Sequence, residues 1–115
     1  KRYAESLECY DKAIHAITPE MLEEHSMSLL FSSILKNKST ILMEINNLKK
    51  ALECCEMSLK ITPSDKGTWN NKGIVLVRME RFQEALDCFD QSLKIDPNYS
   101  VTLELKKSAL DLLRE

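Results

Sequence analysis

The sequence predicts an all-α fold of stacked helix pairs, about six main helices in all, from two observations. The first is a thirty-four-residue repeat. Asn37-Lys38, Ala51-Leu52-Glu53-Cys54 and Ser58-Leu59-Lys60-Ile61-Thr62-Pro63 return thirty-four residues later as Asn71-Lys72, Ala85-Leu86-Asp87-Cys88 and Ser92-Leu93-Lys94-Ile95-Asp96-Pro97. A weaker copy, Ser6-Leu7-Glu8-Cys9-Tyr10, lies upstream. Periodicity of this size marks a solenoid, in which a unit buries its apolar face only by stacking on the next. The second observation is the scarcity of breakers: two glycines and three prolines, with every proline between apolar-periodic stretches. That favours long helices joined by short turns.

The elements follow in chain order. Residues 1–17 place Ser6, Tyr10 and Ala13 at three-four spacing and read as the second helix of a partial repeat. Residues 18–31 form an insertion. Ser6 and Ala51 hold equivalent positions yet stand 45 residues apart, eleven more than the period. Thr18-Pro19-Glu20 reads as a helix start, with Thr18 capping and Pro19 at the first helical position. Met27, Leu30, Phe31, Ile34, Leu35, Ile41, Leu42 and Ile45 then keep helical spacing. The expectation is a first helix lengthened at its N-terminus, or one preceded by a short separate turn over residues 20–24. The insert is either a tolerated surface elaboration or a platform for a partner. Residues 32–65 and 66–99 make two full repeats. Residues 100–115 read as a first helix without its partner, serving as a C-terminal cap. There Leu103, Leu110 and Leu113 are expected to pack on the helix containing Phe89, and Leu105 and Leu112, with Val101 nearby, form a separate stripe.

Composition narrows the function. The net charge is -2, from 16 basic and 18 acidic side chains mixed along the chain. Nucleic-acid binding wants a basic excess on one face, and none is present. The uncharged run from Ser26 to Leu35 is too short to span a bilayer, so no membrane association is expected. No apolar leader segment is in view, and the opening partway through a repeat suggests a fragment of a longer protein. Cys9, Cys54 and Cys88 share one register position, and successive helix layers stand about 8–10 Å apart. Disulfides need Cα atoms within about 7 Å, so these three should not pair. Free thiols point to a reducing, cytoplasmic setting.

From Lys66 to Tyr99 the chain resembles a tetratricopeptide repeat, a helix–turn–helix unit of 34 residues. Trp69, Gly73, Ala85, Phe89 and Pro97 stand at its fourth, eighth, twentieth, twenty-fourth and thirty-second positions. Gly73 and Ala85 are small where the two helices of one repeat cross; Trp69 and Phe89 are expected to fill the gap between repeats. Pro97 ends the second helix. The preceding repeat keeps Ala51 and Pro63 but has Leu35, Ser39 and Cys55 for the tryptophan, glycine and phenylalanine. The resemblance implies a right-handed α–α superhelix whose first helices line a concave groove.

Carried onto this chain, the groove positions include Lys36, Asn37, Thr40 and Glu44 in one repeat and Asn70, Asn71, Ile74 and Arg78 in the next. Asn37 and Asn71 share the sixth position and should stack one layer apart. An amide offers donors and an acceptor, which suits gripping an extended peptide backbone; the alternative is a solvated side chain. The pair resembles the asparagine ladder in the repeat region of O-linked N-acetylglucosamine transferase. Co-chaperone repeats clamp a chaperone's C-terminal carboxylate with basic and asparagine residues. Lys36 and Asn71 fit that pattern, but Thr40, Val101 and Leu105 do not, and a clamp needs several donors converging on one charge. The clamp is therefore not expected.

Lys38, Lys72 and Lys106 recur at the seventh position, either as a line of positive charge or with stems packed and ammonium groups in water. Catalysis finds no support. His15 and His25 lie near no nucleophile motif, and no glycine-rich phosphate loop exists. Adjacent Cys54 and Cys55 point about 100° apart on a helix and cannot chelate as a C-x-x-C pair. No enzyme activity, cofactor or metal is expected. The sequence points to a protein- or peptide-binding scaffold or adaptor. The alternatives are a self-association module, as a possible homodimer through Val101, Leu105 and Leu112, or the substrate-recruiting arm of a larger transferase-like enzyme.

Overall fold

The computed structural model describes residues 2–114, and among them the regular structure is entirely helical. In chain order these are α1 (Tyr3–Ala16), a single 3₁₀ turn (Met21–Glu23), α2 (His25–Glu44), α3 (Leu48–Ile61), α4 (Lys66–Arg78), α5 (Phe82–Ile95) and α6 (Ser100–Arg114). They gather into two compact bodies, Lys1–Pro63 and Ser64–Glu115, divided close to the repeat boundary. No helix among the described residues is long and apolar enough to cross a membrane.

Within the N-terminal body, α2 packs on α3 and on α1. Its core is Leu35, Leu42, Met43, Ala51, Cys54, Cys55 and Leu59. α2 has 20 residues where α4 has 13, so the insert does lengthen the first helix. The helix start read at Thr18-Pro19 belongs instead to the short turn. Thr18 Oγ1 accepts from Met21 N at 3.3 Å. Glu24 then goes extended at ψ 129°, which breaks the helix before His25.

The two helix pairs end their first helices identically. Asn47 N donates to Leu42 O at 2.8 Å and Asn46 N to Met43 O at 3.0 Å. Arg81 N and Glu80 N repeat this with Leu76 O and Val77 O at 2.8 and 2.9 Å. Both are Schellman closures, which need one left-handed residue. Asn46 supplies it at φ 64° and Glu80 at φ 61°. Asparagine tolerates that region; glutamate pays for its Cβ. Glu80→Gly is expected to stabilise the chain by up to about 1 kcal/mol, seen as a raised urea midpoint at unchanged slope. A lowered midpoint would contradict this reading of the turn.

The second helices are tied back by hydroxyls. Ser58 Oγ donates to Ser32 O at 2.9 Å, and Ser92 Oγ, at the equivalent position, donates to Lys66 O at 3.0 Å. A buried hydroxyl without such an acceptor would be costly.

In the C-terminal body α4 and α6 flank α5. Asp65 caps α4, accepting from Gly67 N at 3.0 Å. Lys66 bonds Asp96 at 2.6 Å and lies 4.7 Å from the Tyr99 ring centre. The Lys66 hydrogen bond, with help from Asn98 N–H, holds the Asp96 carboxyl below its usual range and raises the lysine in turn. Phe89 is fully buried and packs within its own repeat. Its ring lies where a Cβ on Gly73 would stand, 2.3 Å from Cε1, so the glycine makes room for the ring inside one repeat.

The expected packing of α6 needs correction. Thr102 and Ala109 are its buried residues, while Leu103 and Leu113 are each 46% exposed and Leu110 is half-buried. Two things set this rotation. Thr102 Oγ1 donates to Asn70 Oδ1 at 2.7 Å and lies 3.1 Å from Ser92 Oγ. Lys106 pairs with Asp90 at 2.7 Å. Small residues at 102 and 109 let the helix approach closely, leaving the leucines to either side.

Candidate functional site

The residues assigned to a binding groove lie on α2 and α4, and those assigned to an association surface lie on α6. On α2, Asn37, Thr40 and Glu44 are exposed and Lys36 is half-buried. Thr40 Oγ1 donates back to Lys36 O at 3.3 Å. On α4, Asn71 and Ile74 are half-buried and Arg78 is exposed in the last turn, where the helix dipole favours a cation.

Asn70 differs from expectation. It is only 4% exposed, and its amide oxygen accepts from Thr102 of α6. Its side chain holds two helices together and is not presented to a ligand. Position five of a first helix stands at the margin between the outward face and the face turned to the next first helix, and here the second wins.

On α6, Val101 is 49% and Leu112 40% exposed, and Leu105 is half-buried. α6 repeats the register of α4, so Leu105 takes the position that Asn71 holds one helix earlier. By the same register Asn71, Ile74 and Arg78 of α4 correspond to Leu105, Ser108 and Leu112 of α6, so α6 carries aliphatic residues at two of these three positions.

The seventh-position lysines do not form a line of open charge. Lys38 pairs with Asp11 at 2.5 Å and Lys106 with Asp90 at 2.7 Å. Lys72 stands 5.6 Å from the centre of the Trp69 ring. Asp11 and Asp90 occupy one register position, so each pair joins a second helix to the first helix that follows it.

All four cysteines are free, Cys9 exposed and the others buried. Burial pushes the Cys54 thiol up from its ordinary value, against a smaller opposing effect of Lys38. Such a thiol is a poor nucleophile. No group of three metal-ligating side chains is found among the described residues.

Sequence reasoning missed one feature. In the N-terminal body Leu22, Ser28, Phe31, Met57, Lys60 and Ile61 line a mainly apolar cleft of about 480 Å³. Leu22 comes from the insert's short turn. An isolated leucine in an acid-rich stretch was the available signal.

A family model for the tetratricopeptide repeat matches residues 40–114. Among solved structures, the chain is similar to the first such domain of Spaghetti (RPAP3), bound to the HSP90 peptide SRMEEVD. The TM-score is 0.85 at 15% identity, over 99% of this chain and 82% of that one. It is also similar to the Hsp90 co-chaperone Cns1 from Saccharomyces cerevisiae, with TM-score 0.86, 18% identity and 99% of this chain covered. The chain spans 35% of the length of Cns1. No curated protein sequence matches it. The two structural likenesses establish the all-α fold. With the family model matched over more than half of its residues, the chain belongs to the tetratricopeptide repeat family.

Proposed function

We propose that this chain is a non-catalytic recognition module that holds an extended peptide segment of a partner protein on the outward faces of its first helices. The observation that carries the reading is the set of aliphatic residues on α6, exposed Val101 and Leu112 with half-buried Leu105, together with half-buried Asn71 and Ile74 on α4. Apolar side chains of the partner would bury on the stripe, while the Asn71 amide bonds its backbone. The solved relative with a bound peptide supports the class of ligand.

The mode of capture differs from a carboxylate clamp. Val101 and Leu105 place aliphatic carbon where convergent cations would be needed, so a terminal carboxylate would lose its water without gaining donors. Peptides selected from a displayed random library should therefore be apolar at two or more positions. The heptapeptide SRMEEVD should fail to saturate the protein at concentrations that saturate a selected peptide. Asn71→Ala should weaken a selected peptide about tenfold, roughly 1.4 kcal/mol, with an unchanged melting temperature. Equal affinity in that variant would move the site elsewhere.

The same stripe supports a second reading, self-association. Sedimentation across a concentration series would then show a dimer, and Leu105→Glu with Leu112→Glu would abolish it.

A further inference from the structure

The insert builds something that the thirty-four-residue register does not repeat. Met57, Lys60 and Ile61 in the last turns of α3 correspond to Gln91, Lys94 and Ile95 of α5. Ile95 is 41% exposed. Over α3 the chain adds a wall: Leu22 from the short turn, with Ser28 and Phe31 from the lengthened start of α2, closes the cleft of about 480 Å³. That volume lies within the usual span of small ligand sites, about 300–1,000 Å³.

The wall is fixed in place. Leu22 N donates to Thr18 O at 3.3 Å and Pro19 O at 3.2 Å, and Ser28 Oγ donates to Leu22 O at 3.0 Å. Met57, on the opposite side, is 45% exposed. The turn that carries Leu22 also carries Glu20, Glu23 and Glu24, all exposed and none in an ion pair among the described residues. Against these three carboxylates the cleft sets one ammonium, Lys60, whose aliphatic stem lines the wall.

We propose that this cleft is a second docking site, for a partner segment that presents a bulky aliphatic or aromatic side chain flanked by lysine or arginine. The apolar side chain enters between Leu22, Phe31 and Ile61, and the flanking cations meet Glu20, Glu23 and Glu24. Charge complementarity selects this occupant: an acidic segment with the same apolar residue meets three like charges on the turn that carries Leu22. The cleft is built wholly within the N-terminal body and shares no residue with the α4 and α6 surface of the C-terminal body.

The test uses the intact chain and a labelled peptide with leucine and phenylalanine between two pairs of lysines. Its controls are the same core between glutamates, and a serine core between lysines. Fluorescence anisotropy should show saturable binding of the first peptide only, weakening as salt rises. Met57→Lys should reduce that binding at least tenfold, and Glu23→Lys with Glu24→Lys should reverse the preference toward the glutamate peptide. Should Met57→Lys disturb the helical circular dichroism, Met57→Gln carries the arm, since glutamine already stands at the equivalent position in α5. Leu105→Glu should leave this binding unchanged.

Equal binding of lysine and glutamate peptides would overturn the proposal, and so would equal binding of the serine core or indifference to the Met57 variants. A concentration-dependent dimer of the peptide-free chain that Met57→Lys removes would assign the cleft to a second copy and also overturn it.

Discussion

Gly73→Ala is expected to destabilise the C-terminal body strongly, although it adds a single methyl. The new Cβ would stand 2.3, 2.6 and 2.8 Å from Cε1, Cδ1 and Cζ of Phe89. The ring is fully buried, so any shift must displace packed neighbours. Overpacking of this kind costs about 1–3 kcal/mol and sometimes more, and this site should lie at the upper end. Urea unfolding followed by circular dichroism measures it. A compensating change gives the sharper test. Phe89→Leu alone opens a cavity and destabilises, but combined with Gly73→Ala it should recover part of the loss, giving a coupling between the two sites. Additive losses would mean that the ring and the glycine are not in contact. The preceding repeat trades volume the other way, with Ser39 and Cys55 at these positions, so Ser39→Ala should cost far less.

Thr102→Val should be the next most damaging change, for a polar reason. It keeps the shape but deletes the hydroxyl that bonds Asn70 Oδ1 at 2.7 Å and contacts Ser92 Oγ at 3.1 Å. Asn70 is left buried with its carboxamide oxygen unpaired, at a cost of about 1–3 kcal/mol. Because this contact ties α6 to α4, peptide binding on the α6 stripe should weaken as well. The control lies one period upstream. Thr68 holds the same register position, but its buried hydroxyl has no partner among the described residues. Thr68→Val should therefore be neutral or stabilising. If both valine variants lose stability equally, methyl packing and not hydrogen bonding explains position three.

The two substitutions show what the sequence made legible. Repetition at thirty-four residues gave the helix pairs, their register and the small residues at Gly73 and Ala85, because those depend on spacing alone. The rotation of a helix about its axis is a subtler quantity, set by a few contacts between elements. Asn70 looked like a groove residue because position five lies at the margin of the outward face; only the partner hydroxyl at Thr102 decides its direction. Leu103 and Leu113 looked like core because leucine at helical spacing usually is, yet Thr102, Ala109 and the Lys106–Asp90 pair turn α6 past them. The cleft beside the insert was unreadable for another reason. Its lining comes from three elements, and nothing in a linear pattern says that Leu22 will stand over Ile61.

The serine bonds from Ser58 to Ser32 and from Ser92 to Lys66 have a consequence for how arrays of such units change in length. Each spans 26 residues and begins and ends inside one thirty-four-residue segment. A genetic crossover between residues 65 and 66 that duplicated or removed a whole segment would therefore never separate a serine from its carbonyl. Every cassette would carry its own closing bond with it. A crossover between the two helices of a pair would instead join a serine to a foreign helix start. Lineages that lengthen or shorten such a chain should show breakpoints between the pairs and spare the turns at Asn46 and Glu80.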